Sequence, residues 1–365
     1  MATGWPMKTT YANGDVYSAS DVNDTNGTIN LLTSSTLSSQ AGKNIMINGG
    51  MDIWQRGTSI TGAATAKYTA DRFSLYQNTA ATVTRQTTSD TTNLPSIQYC
   101  LRAQRNSGST STSGVSIAQS VESANSIPFA GKSVVYSFYA RRGANFSGAS
   151  NNISVYLVSG TGTDQNIHTS YTGASYLVNS TATLTTTWQR FTFTATVDGT
   201  ATELAAYQEY TPSGTAGAND YFEITGVQLE LGSYATTFSR ADGTIQGELA
   251  ACQRYFVRLV NGAETTNEAI TLAQAYGTTG AIAALQWIVP MRSTPTMTIS
   301  SAGHFAIFNA SATDLTATSL ALTSSGTTAR HGRLDIGVAS GLVGGNSGYV
   351  RSISASSTLD ISAEL

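Results

Sequence analysis

The residues that could do chemistry are few and scattered. Three histidines, His168, His304 and His331, lie far apart and share no metal-ligand spacing, so they read as loop or surface side chains. Cys100 and Cys252 form neither a disulfide framework nor a Cys-x-x-Cys motif. They read as buried free thiols packing as small hydrophobes. The nucleophile motif G-x-S-x-G and the phosphate-binding P-loop are both absent. Gly160-Thr161-Gly162 has no third glycine in register and sits between strands, where a dinucleotide fingerprint needs a strand, a turn and a helix. Glu203 and Glu209 flank a strand-like segment with Tyr207 and Tyr210, and Asp220, Glu223 and Glu230 follow. Glycoside hydrolysis needs two carboxylates facing each other across a cleft, and nothing singles out a pair. The reading is a protein without catalysis, cofactor or metal. Stacking is the chemistry that remains. An aromatic face complements the apolar CH face of a ring-shaped ligand at little entropic cost. Trp54, Tyr68, Tyr76, Tyr207 and Tyr210 are the candidate ligand-binding platforms, with a place in the core as the competing reading for each. Trp188, just before a strictly alternating strand, reads as core.

Such platforms need a rigid scaffold. The chain has 365 residues, enough for two or three domains at ~150 residues each. Only 11% are charged and the net charge is −3, which leaves no electrostatic footprint for nucleic acid or an anionic membrane. A hydrophobic fraction of 40% argues against disorder. The many serines and threonines suit exposed strand faces. The opening MATGWPMKTTYANG lacks the basic and apolar regions of a secretory signal. The longest apolar stretch, near Ala281 to Pro290, is roughly half a membrane span. These features predict a soluble chain made in a cytosol.

Three segments differ in pattern. Over residues 1–40, Ser18 or Ser20 could cap a helix whose face carries Val22, Ile29 and Leu32, with Leu37 beyond. The stripe is thin, so such a helix needs a partner. A disordered arm is the alternative. Residues 41–240 read as about ten short strands. Phe191, Phe193, Ala195 and Val197 alternate with threonines, as do Val134, Tyr136, Phe138 and Ala140 with their neighbours. Ile97 to Ala103 and Ile153, Val155 and Leu157 repeat the period. A slip at Thr225-Gly226 signals a bulge. This predicts an all-β antiparallel jelly roll. Residues 241–365 open with Ile245, Leu249, Cys252, Phe256 and Leu259 at helical spacing, although strand formers accumulate from Tyr255. The run Ala281 to Val289 is apolar on both phases, as in a strand covered on both faces. Shorter runs to Ile361 predict a smaller β-sandwich domain.

Several stretches resemble structural proteins of tailed bacteriophages. The segment from Asn44 to Thr58, read N-I-M-I-N-G-G-M-D-I-W-Q-R-G-T, resembles their "N-x-x-x-N-G-x-x-x-W-Q-R-G" opening. Tyr68 to Phe73 matches the next motif, an aromatic after Ala-Asp-Arg. Thr187 to Phe191 and Ile224 to Gly232 look like the late strands. Glu248 to Phe256 is similar to the "E-L-A-x-C-Q-R-Y" helix, Val289 to Pro295 to the strand end after it, and Ser362 to Leu365 to the "A-E-L" ending.

The resemblance implies a virion protein of the tail-fibre or minor-tail type, located on the external particle surface. It implies a central domain similar to carbohydrate-binding modules, a homotrimer, and residues 1–40 docking onto other tail or baseplate proteins. A host-surface glycan is the implied ligand. A purely structural baseplate or head-decoration role and a polysaccharide depolymerase are the alternatives. Carbohydrate-binding jelly rolls often hold a calcium ion with an acidic pair in the last strand. Here that place reads Thr225-Gly226, and Asp52 and Glu223 are too few oxygen donors for calcium. Asp71 and Arg72 match the family motif and read as holding a loop.

Overall fold

The computed structural model describes residues 42–76, 78–309, 311 and 313–365. The expected arm over 1–40 lies outside the described residues.

Twelve strands build a sandwich between Ser59 and Leu231. In chain order they are β1 (Ser59–Thr61), β2 (Lys67–Tyr68), β3 (Ser74–Leu75), β4 (Ala81–Thr87), β5 (Tyr99–Arg105) and β6 (Val115–Val121). Then come β7 (Ser133–Arg142), β8 (Asn152–Gly160), β9 (Ser175–Thr183), β10 (Gln189–Thr196), β11 (Glu203–Tyr210) and β12 (Tyr221–Leu231). One sheet runs β1-β4-β5-β12-β7-β10 and the other β2-β3-β6-β11-β8-β9. All their pairings are antiparallel. The period-two runs explain the core. Leu101, Ala103, Val134, Phe138 and Phe222 from the first sheet meet Ile117, Ile153, Val155, Leu157 and Leu204 from the second. The slip at Thr225-Gly226 is a bulge, with the register to β7 shifting between Thr225 and Gln228. Gly226 has a φ of 59°, and a Cβ there would lie 2.8 Å from the Tyr139 ring.

The two outer faces are treated differently. Leu94, Ile97, Cys100 and Trp188 cover part of the first sheet's outer face, with Tyr139 and Phe238 packed against them. The segment after Gly42 pairs along β12, where Ile45 N–H donates to Leu229 O and Val227 N–H to Gly49 O. On the second sheet the β8–β9 connection folds over one end, with the chain's last residue beside it. There Ile167 and Tyr171 join Val158 and Ala205 in a small outer cluster.

Two short helices interrupt the strands, α1 (Ser123–Ser126) and α2 (Ile245–Gln253). The helical spacing of Ile245 and Leu249 does not mark the buried side of α2. They are 42% and 36% exposed, while Glu248 and Cys252 are fully buried. The helix stops at Gln253 because the strand-forming residues after it enter β13 (Phe256–Asn261). Both cysteines are free and buried.

The strands after α2 do not form the expected small sandwich. They are β14 (Ala269–Ala275), β15 (Gly280–Gln286), β16 (Thr296–Ile299), β17 (Phe305–Phe308), β18 (Asp314–Thr323), β19 (His331–Val338), β20 (Ser347–Ser352) and β21 (Thr358–Ser362). A three-stranded sheet runs β13-β21-β16, and β14-β15-β19-β18-β17-β20 closes into a barrel. Closure removes sheet edges that would otherwise template association. It also explains β15. Ala281, Ala283 and Leu285 point into the barrel core, while the other phase faces out, so the run is covered on one side only.

The chain's last residues join barrel and sandwich. Arg72, 2% exposed, pairs with Glu364 and donates to Ser120 O at 2.8 Å. Arg56 reaches the same carboxylate at 3.1 Å, and Arg292 donates to Ala363 O at 3.0 Å. Asp71 accepts from Gln55 N–H at 3.0 Å. The Asp71-Arg72 motif thus holds its loop, and its arginine also clamps the carboxyl-terminal segment.

Glu248 gives the fold a pH dependence. It accepts the backbone N–H groups of Asn48 and Asp242. Burial still pushes its carboxyl up to about 7. A raised carboxyl is protonated in the fold at pH values where the unfolded chain ionises. Stability from this group is therefore complete below 4.5, its ordinary value, and is lost as pH rises towards about 7. The slope is at most about 1.4 kcal/mol per pH unit. Chemical denaturation of Glu248→Gln across that window should show this slope removed; an unchanged slope would assign it to other groups.

Candidate functional site

The second sheet's outer face carries two of the exposed aromatics, Tyr76 and Tyr176, beside the half-buried Tyr156 and Tyr207. In β11, Leu204, Ala206 and Tyr210 point into the core. Strand pleating sends Ala205, Tyr207 and Glu209 the other way. The ladder registers extend this face sideways. Ser74, Ala118, Tyr207, Tyr156 and Asn179 form one row across β3, β6, β11, β8 and β9. In the next row Glu209 lies between Ser116 and Ser154. Tyr76, two residues after Ser74, donates its N–H to Ser116 O at 3.0 Å. In the row on the other side, Val158 pairs with Tyr176.

The side chains make a shallow groove. Ser116 and Ala118 are buried beneath the tyrosine rings. Tyr207 stacks on Tyr156 with centroids 4.4 Å apart and planes at 24°, and Tyr176 meets Tyr156 edge-on at 5.8 Å. Tyr176 is 55% exposed, so this wall presents ring surface to solvent. Opposite, Tyr76 packs on the His168 ring at 5.0 Å. His168 is fixed by Ser74 Oγ at 2.7 Å from Nε2. Burial lowers the imidazole to about 4, so it is neutral at neutral pH. The β8–β9 connection closes one end, where Ile167 N–H donates to Ser120 Oγ and the Tyr171 hydroxyl to Leu204 O. Burial raises the Glu209 carboxyl above its ordinary value.

Of the five expected platforms, the structure brings Tyr76 and Tyr207 to this face. Tyr68 stands at the edge of the same face, opposite Ser74 in the Tyr207 row, while Trp54 and Tyr210 are placed elsewhere. Trp54 is 8% exposed in the main core, its indole N–H donating to Met51 O at 2.8 Å. Tyr210 is 2% exposed against Phe146 and Phe222, because it stands three residues from Tyr207 and a strand alternates every residue. Tyr68 lies at the junction with the carboxyl terminus, its hydroxyl donating to Leu365 O at 3.2 Å under the Arg56 guanidinium. Tyr156, Tyr176 and His168 were not among the expected platforms. Tyr156 was legible: if Ile153, Val155 and Leu157 point inwards, it must point out. Tyr176 and His168 follow only from the pairing of β9 and the path of the connecting loop.

The carboxylates considered for calcium are occupied by arginines. Glu223 accepts from Arg102 and Arg141, and Asp52 from Arg240. A cavity of about 1060 Å³ opens elsewhere, lined by Lys43, Glu122, Leu231, Tyr234 and Arg254 among others. Two of its acids are engaged: Glu122 with Arg254 and Tyr255, and Glu230 with Lys43.

Solved structures to which this chain is similar include carbohydrate-binding modules. A CBM4 structure is 18% identical over 51% of this chain and 98% of that chain, at a TM-score of 0.29. TmCBM61 in complex with β-1,4-galactotriose is 15% identical over 52% of this chain and 99% of its own, at 0.30. The enzymatically active domain of tailspike protein 4 from bacteriophage CBA120 is 12% identical over 52% of this chain, at 0.32. The match spans only 21% of that domain. The sequence matches no protein-family model and no curated protein. No described helix is long and apolar enough to cross a membrane.

Proposed function

We infer that this chain is a glycan-binding virion protein whose jelly roll holds a sugar chain on the Tyr76–Tyr207 face. The observation that carries this reading is the clustering of four tyrosine rings, Tyr76, Tyr156, Tyr176 and Tyr207, on one sheet face. Sugar rings offer apolar CH faces for stacking and a rim of hydroxyls for hydrogen bonds. The groove supplies both, through Tyr76, Tyr156, Tyr176 and Tyr207 and through Ser154, Asn179 and Glu209. The outer phase of β11 carries two carboxylates, and Glu203 is buried under the β8–β9 connection, which leaves Glu209 to meet a ligand where hydrolysis uses a facing pair. That favours binding over depolymerisation.

The virion part rests on the ordered motifs. Their residues form contacts that close the fold: Asn44 donates to Val227 O and Ser239 O, Trp188 to Thr88 O, and Arg72 pairs with Glu364. Residues 1–40 would attach the protein to the particle, and the assembled form would be a homotrimer. Light scattering should then give about three times 38.1 kDa; a monomer throughout the micromolar range would remove the trimer.

The deciding experiment is a glycan array read with wild type, Tyr76→Ala and Tyr207→Ala, paired with adsorption of particles to host cells. Binding lost in a variant that melts like wild type supports the reading. A wild-type protein that binds no glycan while still incorporating into particles would leave a purely structural role.

A further inference from the structure

Glu209 sits in this groove without a partner. The other carboxylates of β11 and β12 each accept at least one hydrogen bond. Glu203 accepts from Gln165 N–H, Glu223 pairs with Arg102 and Arg141, and Glu230 pairs with Lys43. Among the described residues no donor lies within hydrogen-bond distance of Glu209. Its place is nonetheless defined. The carboxylate packs against the backbone of Gly114, where a Cβ would lie 2.6 Å from Glu209 Oε1. It stands two residues from Tyr207 on the same strand face, between Ser116 and Ser154.

The surrounding charge points one way. Of the six strands of this sheet only the edge strand β2 carries a cation, Lys67, whose ammonium donates to Thr61 O at 3.2 Å. The one imidazole beside Tyr76 is neutral at neutral pH. An incoming ligand therefore meets a half-buried anion bordered by tyrosine rings, with no cation to neutralise it. Acidic sugars meet like charge there. A protonated amine gains a charge-assisted hydrogen bond from the carboxylate and attraction to the aromatic faces.

We propose that Glu209 is a specificity-determining residue that makes the groove prefer sugar chains bearing free amino groups, such as deacetylated glucosamine polymers, and reject uronic acid chains. This rests on the glycan-binding reading above. The pyranose CH faces would stack along Tyr207 and Tyr156 while a ring ammonium donates to the Glu209 carboxylate.

The test is calorimetric titration of the full chain with three oligosaccharides of equal length: glucosamine, N-acetylglucosamine and galacturonate. The pH is chosen so that the amine is protonated and the carboxylate ionised. The glucosamine chain should bind roughly tenfold tighter than its acetylated form, and the galacturonate chain should not bind. Glu209→Gln should erase the amine preference while keeping the weaker affinity for the acetylated chain. Glu264→Gln, the same charge change on an exposed residue outside the sandwich, should keep the preference; its loss there would mean general attraction to an acidic protein and overturn the proposal. Glu209→Ala, read with thermal unfolding, serves if the glutamine variant is unstable. A preference that survives Glu209→Gln, or galacturonate binding as tight as the acetylated chain, overturns the proposal while leaving the glycan reading intact. Binding of none of the three overturns the proposal, and the array then decides the wider reading separately.

Discussion

Arg105→Met should destabilise the sandwich by about 3–5 kcal/mol, the cost of leaving one member of a buried ion pair alone. The side chain is 1% exposed and its partner Asp220 is fully buried, at 2.8 Å. The guanidinium also donates to Ser109 O, Ser111 O and Gly214 O and to Ser147 Oγ. It thereby ties the end of β5 to the loops before β6 and before β12. Asp220 in turn accepts from Ser147 N–H and the Tyr210 hydroxyl, so its charge cannot move to water when the arginine is gone. Methionine fills much of the volume but satisfies none of these acceptors. Adding Asp220→Asn should recover part of the loss, because no uncompensated charge then remains. Urea denaturation followed on the sandwich transition measures both. A loss under about 1 kcal/mol would show that water reaches the pair and that the ends of these strands are held by other contacts.

Tyr207→Ala should weaken glycan binding roughly tenfold to a hundredfold, by analogy with the 1–3 kcal/mol that one aromatic platform contributes to base stacking. The fold should tolerate the change. Tyr207 lies outside the main core and its ring contacts Tyr156 on the open side, so its truncation removes a surface aromatic pair worth about 0.5–1.5 kcal/mol. Tyr210→Ala is the matched control, three residues along the same strand. Its ring is 4.5 Å from Phe146 and edge-on to Phe222 inside the core. Truncation there should cost about 3–5 kcal/mol and lower the melting temperature. Opposite outcomes for the two neighbours would locate the ligand on the outer face. Wild-type affinity in Tyr207→Ala would move the site elsewhere, with the mouth of the barrel beside Asn309 and Asn346 the next place to look.

What could be read from the residues alone was whatever depends on local repetition. Val134, Tyr136, Phe138 and Ala140 had to share a face because a strand alternates, and they do so whatever packs against them. Gly226 marked a bulge because a break in period two has few other solutions. The scarcity of charge and the alternating threonines announced exposed strand faces. None of this depends on where the chain goes next.

The pairing partners did depend on it, and they decided the rest. Tyr207 and Tyr210 look alike as letters three apart, yet pleating makes one a surface platform and the other core. Trp54 and Tyr68 resemble exposed rings until the carboxyl-terminal residues and the main core close over them. Ile245 and Leu249 fit a buried helical stripe, but the chain after Gln253 leaves as a strand and turns Glu248 and Cys252 inwards. The barrel closes because β14 finds β15 on one side and β20 on the other, a contact between residues about 75 positions apart that no local pattern records. Sequence periodicity thus determined which side chains share a face; only the long-range ladders determined which faces are covered, and so which tyrosines meet solvent.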